Sequence, residues 1–163
     1  MIDKRQVLWQ YLSAHQKELI EDGEQLFFHA GELAEIHDYS YLVFPYAKAY
    51  EGFLKKLFFD LKFIDESTYR GDRFRIGKAL NPSLEKRLRH NSIFDKLVLY
   101  CGGQELANEL WQVWKKGRNL LFHYFPHNEH KITLIEAENI RDEILLAMKK
   151  ALSECKISYG KQT

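Results

Sequence analysis

Arg118, Asn119 and His123 fall in one short stretch, WQVWKKGRNLLFHYFP from Trp111 to Pro126, and their types suit phosphodiester chemistry. An arginine is always charged and presents a planar fork of donors to a phosphate. A histidine titrates near neutrality, so it can take or give a proton there. The five-residue separation is about 140° around a regular helix, so the two side chains do not stack as an i, i+4 pair would. A long arginine stem, a frayed helix end or a site shared between two copies of the chain would each relax that constraint. A plainer reading stands beside this one: Arg118 is a solvated surface arginine and His123 a cap at a helix end, because an isolated motif is a weak signal.

Trp111, Trp114, Leu120, Leu121, Phe122 and Phe125 recur at mostly helical spacing and predict a helix from Gln104 to Tyr124. Pro126 is expected to stop it, having no N–H to donate. His123 would then lie in the last turn, where the helix dipole favours imidazolium. A second long helix is predicted from Tyr39 to Phe63, with Tyr46, Tyr50, Phe53, Leu54, Leu57, Phe58 and Leu61 as its buried stripe. Pro45 fits only its first turn or a kink. Lys48 and Glu51, three apart on that helix, read either as an exposed i, i+3 ion pair or as two charged groups aimed at a shared pocket.

The remaining pattern is also helical. Residues from Lys4 to Ile36 predict a helix with Val7, Leu8, Tyr11, Leu12, Leu19 and Ile20 inward, broken at Gly23 or Gly31. From Asp65 to Asn91 short helices and turns are expected, rich in Arg70, Arg73, Arg75, Lys78, Lys86, Arg87 and Arg89. That segment reads as a source of phosphate contacts or as a solvated connector. Ile93 to Tyr100 should be a short helix ended by Gly102–Gly103 at Cys101. Thr133 and Glu136 form a capping box for a last helix from Leu134 to Cys155, with Ile135, Ile140, Ile144, Leu145, Met148 and Leu152 inward. No stretch alternates as a strand does.

The expected fold class is therefore all-α: a bundle of four to five main helices with a short irregular basic insertion. A single domain over residues 1–163 is expected, comprising an N-terminal helical region (1–37), the motif-bearing bundle (38–155) and a frayed tail (156–163). The formal net charge of +1 shows no global bias toward nucleic acid or membrane, so any anion-binding surface must be local. Lys115 and Lys116 beside Arg118, together with Arg73 and Arg75, are the candidate RNA-binding cations. Cys101 and Cys155 lack metal-like spacing and read as free thiols of a reducing compartment. His15, His29 and His37 share no ligand spacing. His127, Glu129 and His130 lie in a loop without helical placement, which makes a metal site the weakest option. The N-terminus reads as charged and amphipathic rather than as a signal peptide, and a cytoplasmic protein with no membrane partner is expected.

A helical chain whose late helix carries Arg118, Asn119 and, after Leu120, Leu121 and Phe122, His123 resembles the HEPN superfamily of ribonucleases. The segment PYAKAYEGFLKKLF from Pro45 extends the similarity toward the catalytic domain of RNase LS-type toxins, over most of residues 39–155. The resemblance implies a stand-alone, metal-independent endoribonuclease without a cofactor. It implies catalytic roles for Arg118, His123, Glu51, Asn119 and Lys48. It also implies an RNA substrate, a homodimer with a composite active site, an antitoxin protein as partner, and a place in toxin–antitoxin or phage-defence systems. Toxins paired with nucleotidyltransferase antitoxins usually carry a tyrosine two residues after the histidine. That position is Phe125 here, with Tyr124 beside it, which argues against that subgroup. The alternative is a non-catalytic HEPN-like module that binds RNA or protein.

Overall fold

A computed structural model of the chain describes residues 6–32, 36–124, 126–127 and 130–155. Among them every regular element is helical. Instead of one helix from Lys4 to Ile36, the described residues form α1 (Val7–Tyr11) and α2 (Ala14–His29), followed by a 3-10 turn, Ala30–Glu32. Lys4 and residues 33–35 lie outside the described residues. The first break falls at Ser13, and the α-helix ends again at His29, near Gly31, one of the two expected breakers. Ser13 accepts the Gln16 N–H, and the Gln16 side chain accepts the Ser13 N–H, so a capping box starts a new helix there. Val7, expected inward, is exposed, whereas Leu8, Tyr11, Leu12 and Ile20 are buried.

Gly23 does not break α2; it lets α2 approach its neighbour. A Cβ there would lie 2.3 Å from Cε2 of Tyr46, a ring with no exposed surface. That ring belongs to α3 (Ser40–Asp60), the central helix, which packs against α2 and α8 (Leu134–Glu154). The Tyr46 hydroxyl donates to Glu24 of α2 at 2.8 Å, so the phenol is satisfied where it is most enclosed. The expected α3 stripe is buried as read, with Leu61 half-buried beyond the helix end. Pro45 sits buried inside α3, beyond the first turn. The surrounding core holds the helix together where proline removes one ladder bond.

After α3 the chain makes α4 (Glu66–Arg70), α5 (Ile76–Ala79) and a 3-10 turn, Lys86–Asn91. These are the short helices expected of the basic insertion. Helix α6 (Ile93–Cys101) ends at Gly102, whose φ of +71° suits a glycine cap. Helix α7 (Glu105–Trp114) packs on α6 and α8. The Thr133–Glu136 capping box starts α8 as read. Ile140, Ile144, Met148 and Leu152 are buried, but Ile135 is 68% exposed, on the side of the first turn away from the buried Ala137.

The two cysteines end up side by side although 54 positions separate Cys101 from Cys155. The two thiols are close enough to influence each other where α6 and α8 end. Burial pushes the Cys155 thiol up to about 12 and raises that of Cys101 as well. Both therefore stay protonated near neutrality and are poor nucleophiles. A thiol-reactive disulfide reagent should label them slowly in the folded chain near neutral pH and rapidly after denaturation. Gly23→Ala should lower stability by about 1–3 kcal/mol, read as a lower urea midpoint, because the added methyl meets a ring that has nowhere to move.

Candidate functional site

One face of α3 is not covered by other helices. Phe44, Ala47, Lys48 and Glu51 follow the 3–4 spacing of that face. They line a cavity of about 210 Å³ together with Arg118 and Phe122. The ion-pair reading of Lys48 with Glu51 is not what forms. Among the described residues Glu51 pairs instead with Arg118, Oε2 to Nε at 3.7 Å. That distance is too long for a hydrogen bond. It leaves the guanidinium electrostatically held with its donors uncommitted to Glu51. The guanidinium carbon also lies 5.6 Å from the centre of the Trp114 ring, a cation–π distance. Arg118 is 40% and Glu51 33% exposed at the side chain, so the pair is open to a ligand.

Arg118 is delivered by a feature the sequence reading missed. The expected single helix from Gln104 to Tyr124 is α-helical only to Trp114, and Lys115–Leu120 form a π-helical turn. A π turn carries an extra residue and widens the helix, an arrangement that recurs at functional sites. Gly117 permits it. A Cβ on Gly117 would lie 3.1 Å from Ile144 Cδ1 and 3.3 Å from Ile140 Cγ2, so the bare glycine brings the turn against α8. Helical structure then ends at Leu120, well before Pro126. The chain departs where Leu121 is buried in the core and Phe122 sets its ring edge-on to Phe44, centroids 5.6 Å apart. Phe125 lies outside the described residues.

His123 consequently lies beyond the helix, not in its last turn. It lines a second cavity, of about 520 Å³, with Asp38, Ser40, Tyr124, His130 and Lys131. Leu121 and Phe122 complete that wall, so Phe122 lines both cavities. Asp38 frames the second cavity. Its carboxylate accepts the Ser40 N–H at 3.0 Å, the Ser40 hydroxyl at 3.1 Å and the Ile132 N–H at 3.3 Å. The Tyr39 N–H donates to the Ile132 carbonyl at 3.0 Å. The start of α3 is thereby fastened to the segment leading into α8. Asp-x-Ser ahead of a helix is a turn pattern, and that was the one sequence signal for Asp38 and Ser40.

The other candidates are dispersed. Asn119 is half-buried on the π turn, and Lys115 is exposed. Lys116 is held by Glu143, Nζ to Oε1 at 2.6 Å and to Oε2 at 2.9 Å. Arg73 and Arg75 line a third cavity, whose lining includes neither Lys115 nor Lys116. Among the described residues no group of three or more His, Cys, Asp or Glu side chains is placed to hold a metal ion. Glu129 is outside the described residues. No helix among them is long and apolar enough to cross a membrane.

Comparison of the chain with protein-family models, with curated proteins and with solved structures gives no match. Gly117→Val should cost about 1–3 kcal/mol in urea unfolding, because its branched side chain must displace Ile140 and Ile144. The same variant should move Arg118 off Glu51, which NMR of the arginine Nε–H would register as a changed shift.

Proposed function

We propose that this chain is a HEPN-type endoribonuclease that works without a metal ion. The observation that supports it most is the convergence of Arg118 with Glu51 and Lys48, which come from elements far apart in sequence, on one cavity. His123 on the adjoining cavity supplies the proton-transfer group. In the proposed reaction the 2′-oxygen of a ribose bonds to the neighbouring phosphorus and gives up its proton. The bond from phosphorus to the 5′-oxygen breaks, and that oxygen takes a proton. The products are a 2′,3′-cyclic phosphate and a 5′-hydroxyl.

Each residue has a role in that scheme. Arg118 binds the non-bridging oxygens and balances the charge that grows on them. His123 receives or returns the proton. Glu51 orients the guanidinium, Lys48 adds positive charge and Asn119 positions Arg118 or the substrate. A second copy of the chain belongs to the proposal, because a dimer would set Arg118 of one copy and His123 of the other around a single phosphate. The likeness to RNase LS-type toxins extends it to a role in toxin–antitoxin or phage-defence systems, with an antitoxin protein as regulator.

A second reading has its own support. Within one chain Arg118 and His123 face different cavities with Phe122 lining both. That separation suits a non-catalytic HEPN-like module that binds RNA or a protein partner.

Cleavage of a mixed RNA pool in EDTA separates the two readings. His123→Ala should slow cleavage by about 10²–10⁴-fold, the usual worth of a general acid or base. Arg118→Ala should also lose activity, and Arg118→Lys should not restore it, because an ammonium lacks the planar fork. A folded wild-type chain that binds RNA without cutting it would select the binding module.

A further inference from the structure

Apart from Lys86, which is exposed and does not line the third cavity, the cations of the basic insertion fall into two groups. Arg70 pairs with Glu66 at 2.8 Å, Arg87 with Glu85 at 2.6 Å, and Arg89 with Asp95 at 2.9 Å. For Arg73, Arg75 and Lys78, no carboxylate among the described residues lies within ion-pair distance. Those three are the cations that line the third cavity, about 200 Å³, over an apolar floor that includes Phe74, Leu84 and Leu88. The Arg75 guanidinium is steadied by donating to the Asp72 carbonyl. Arginine and lysine stems commonly lie along apolar surface with their charged ends in water; unpaired cations around such a hollow also match a ligand that is anionic at its edge and flat and apolar at its centre.

We infer that the cleft of Arg73, Arg75 and Lys78 is an exosite for one unpaired nucleotide of a single-stranded RNA, phosphates on the three cations and base against Phe74, Leu84 and Leu88. This rests on the RNA reading of the Arg118 site. A volume of about 200 Å³ is below the roughly 300–1,000 Å³ of small-molecule pockets. The cleft therefore takes one ring system of a longer chain rather than a whole free ligand. A base in a duplex is stacked and paired, so only an unpaired one can turn into it. The cleft is also tied to the first site. A Cβ on Gly77, between the cavity residues Arg75 and Lys78, would lie 3.0 Å from Nε1 of Trp114. Trp114 is the ring beneath Arg118, so one indole connects α5 to the guanidinium that would hold the scissile phosphate.

The test measures binding of a 2′-O-methyl oligonucleotide, which resists 2′-hydroxyl attack, over a range of salt. The full chain is compared with the triple variant Arg73→Ala, Arg75→Ala, Lys78→Ala. The double variant Arg70→Ala, Arg87→Ala serves as a control, since both of its arginines are already paired. The triple variant should weaken binding roughly tenfold or more. It should flatten the slope of log K against log salt by about 2, since each single-strand phosphate contact is worth about 0.7. The control should change neither, and Arg73→Lys with Arg75→Lys should keep the slope. Phe74→Ala should weaken binding with the slope unchanged. Absence of binding, equal loss in triple variant and control, or equal affinity for duplex and single strand would each overturn the exosite. RNA cleavage by the wild type bears on the Arg118 site alone, so the two readings fail separately.

Discussion

Helix α3 must be enclosed by α2 on one side and α8 on another, and the site depends on how that enclosure is achieved. Tyr46, Phe53, Leu54, Leu57 and Phe58 have essentially no exposed surface, so most of the helix circumference is committed to the core. Packing this tight requires side chains to be absent at the closest approaches. Gly23 faces Tyr46, and Gly52 faces the Gln16 side chain with a would-be Cβ 2.7 Å from Nε2. What remains of α3 is a narrow stripe carrying Phe44, Lys48 and Glu51. Charged groups on a helix this rigid are held in place by the core behind them, which is the support a binding or catalytic group needs.

The same logic operates on the opposite wall. Gly117 brings the π turn down on Ile140 and Ile144, and the widened turn sends Arg118 toward Glu51 and over Trp114. Two contacts of modest strength then fix the guanidinium. A half-exposed ion pair contributes little to folding, and its value here is positional. The carboxylate and the indole leave the outer edge of the fork facing the cavity.

Much of this was legible in the sequence where a local rule governs the structure. The α3 stripe, the Thr133–Glu136 box and the Gly102 stop all follow from patterns a few residues long, and each appears at the expected place. The placement of Lys48 and Glu51 on one face was legible for the same reason. Illegible were the features decided by contacts between distant elements. The π turn depends on α8 meeting Gly117, and Glu51 chooses Arg118 over Lys48 only once α3 and the turn are packed. The adjacency of Cys101 and Cys155 likewise needs α6 and α8 to end together. Of the two glycines read as possible breakers, Gly31 lies in the 3-10 turn that follows α2, whereas Gly23 serves a close approach that only the partner helix reveals. The second helix start at Ser13 was local: the apolar stripe skips a turn between Leu12 and Leu19, where His15 and Gln16 stand, and Ser13 with Gln16 forms a capping box.

The pairing of Glu51 with Arg118 also sets a charge balance. Two cations and one carboxylate give the first cavity a single net positive charge. An internal phosphodiester carries one negative charge and is matched by it. A terminal phosphate carries nearly two near neutrality and would leave an excess beside the Glu51 carboxylate. On the proposed reading, the carboxylate turns a general anion hole into a filter that accepts linkages within a chain and disfavours chain ends.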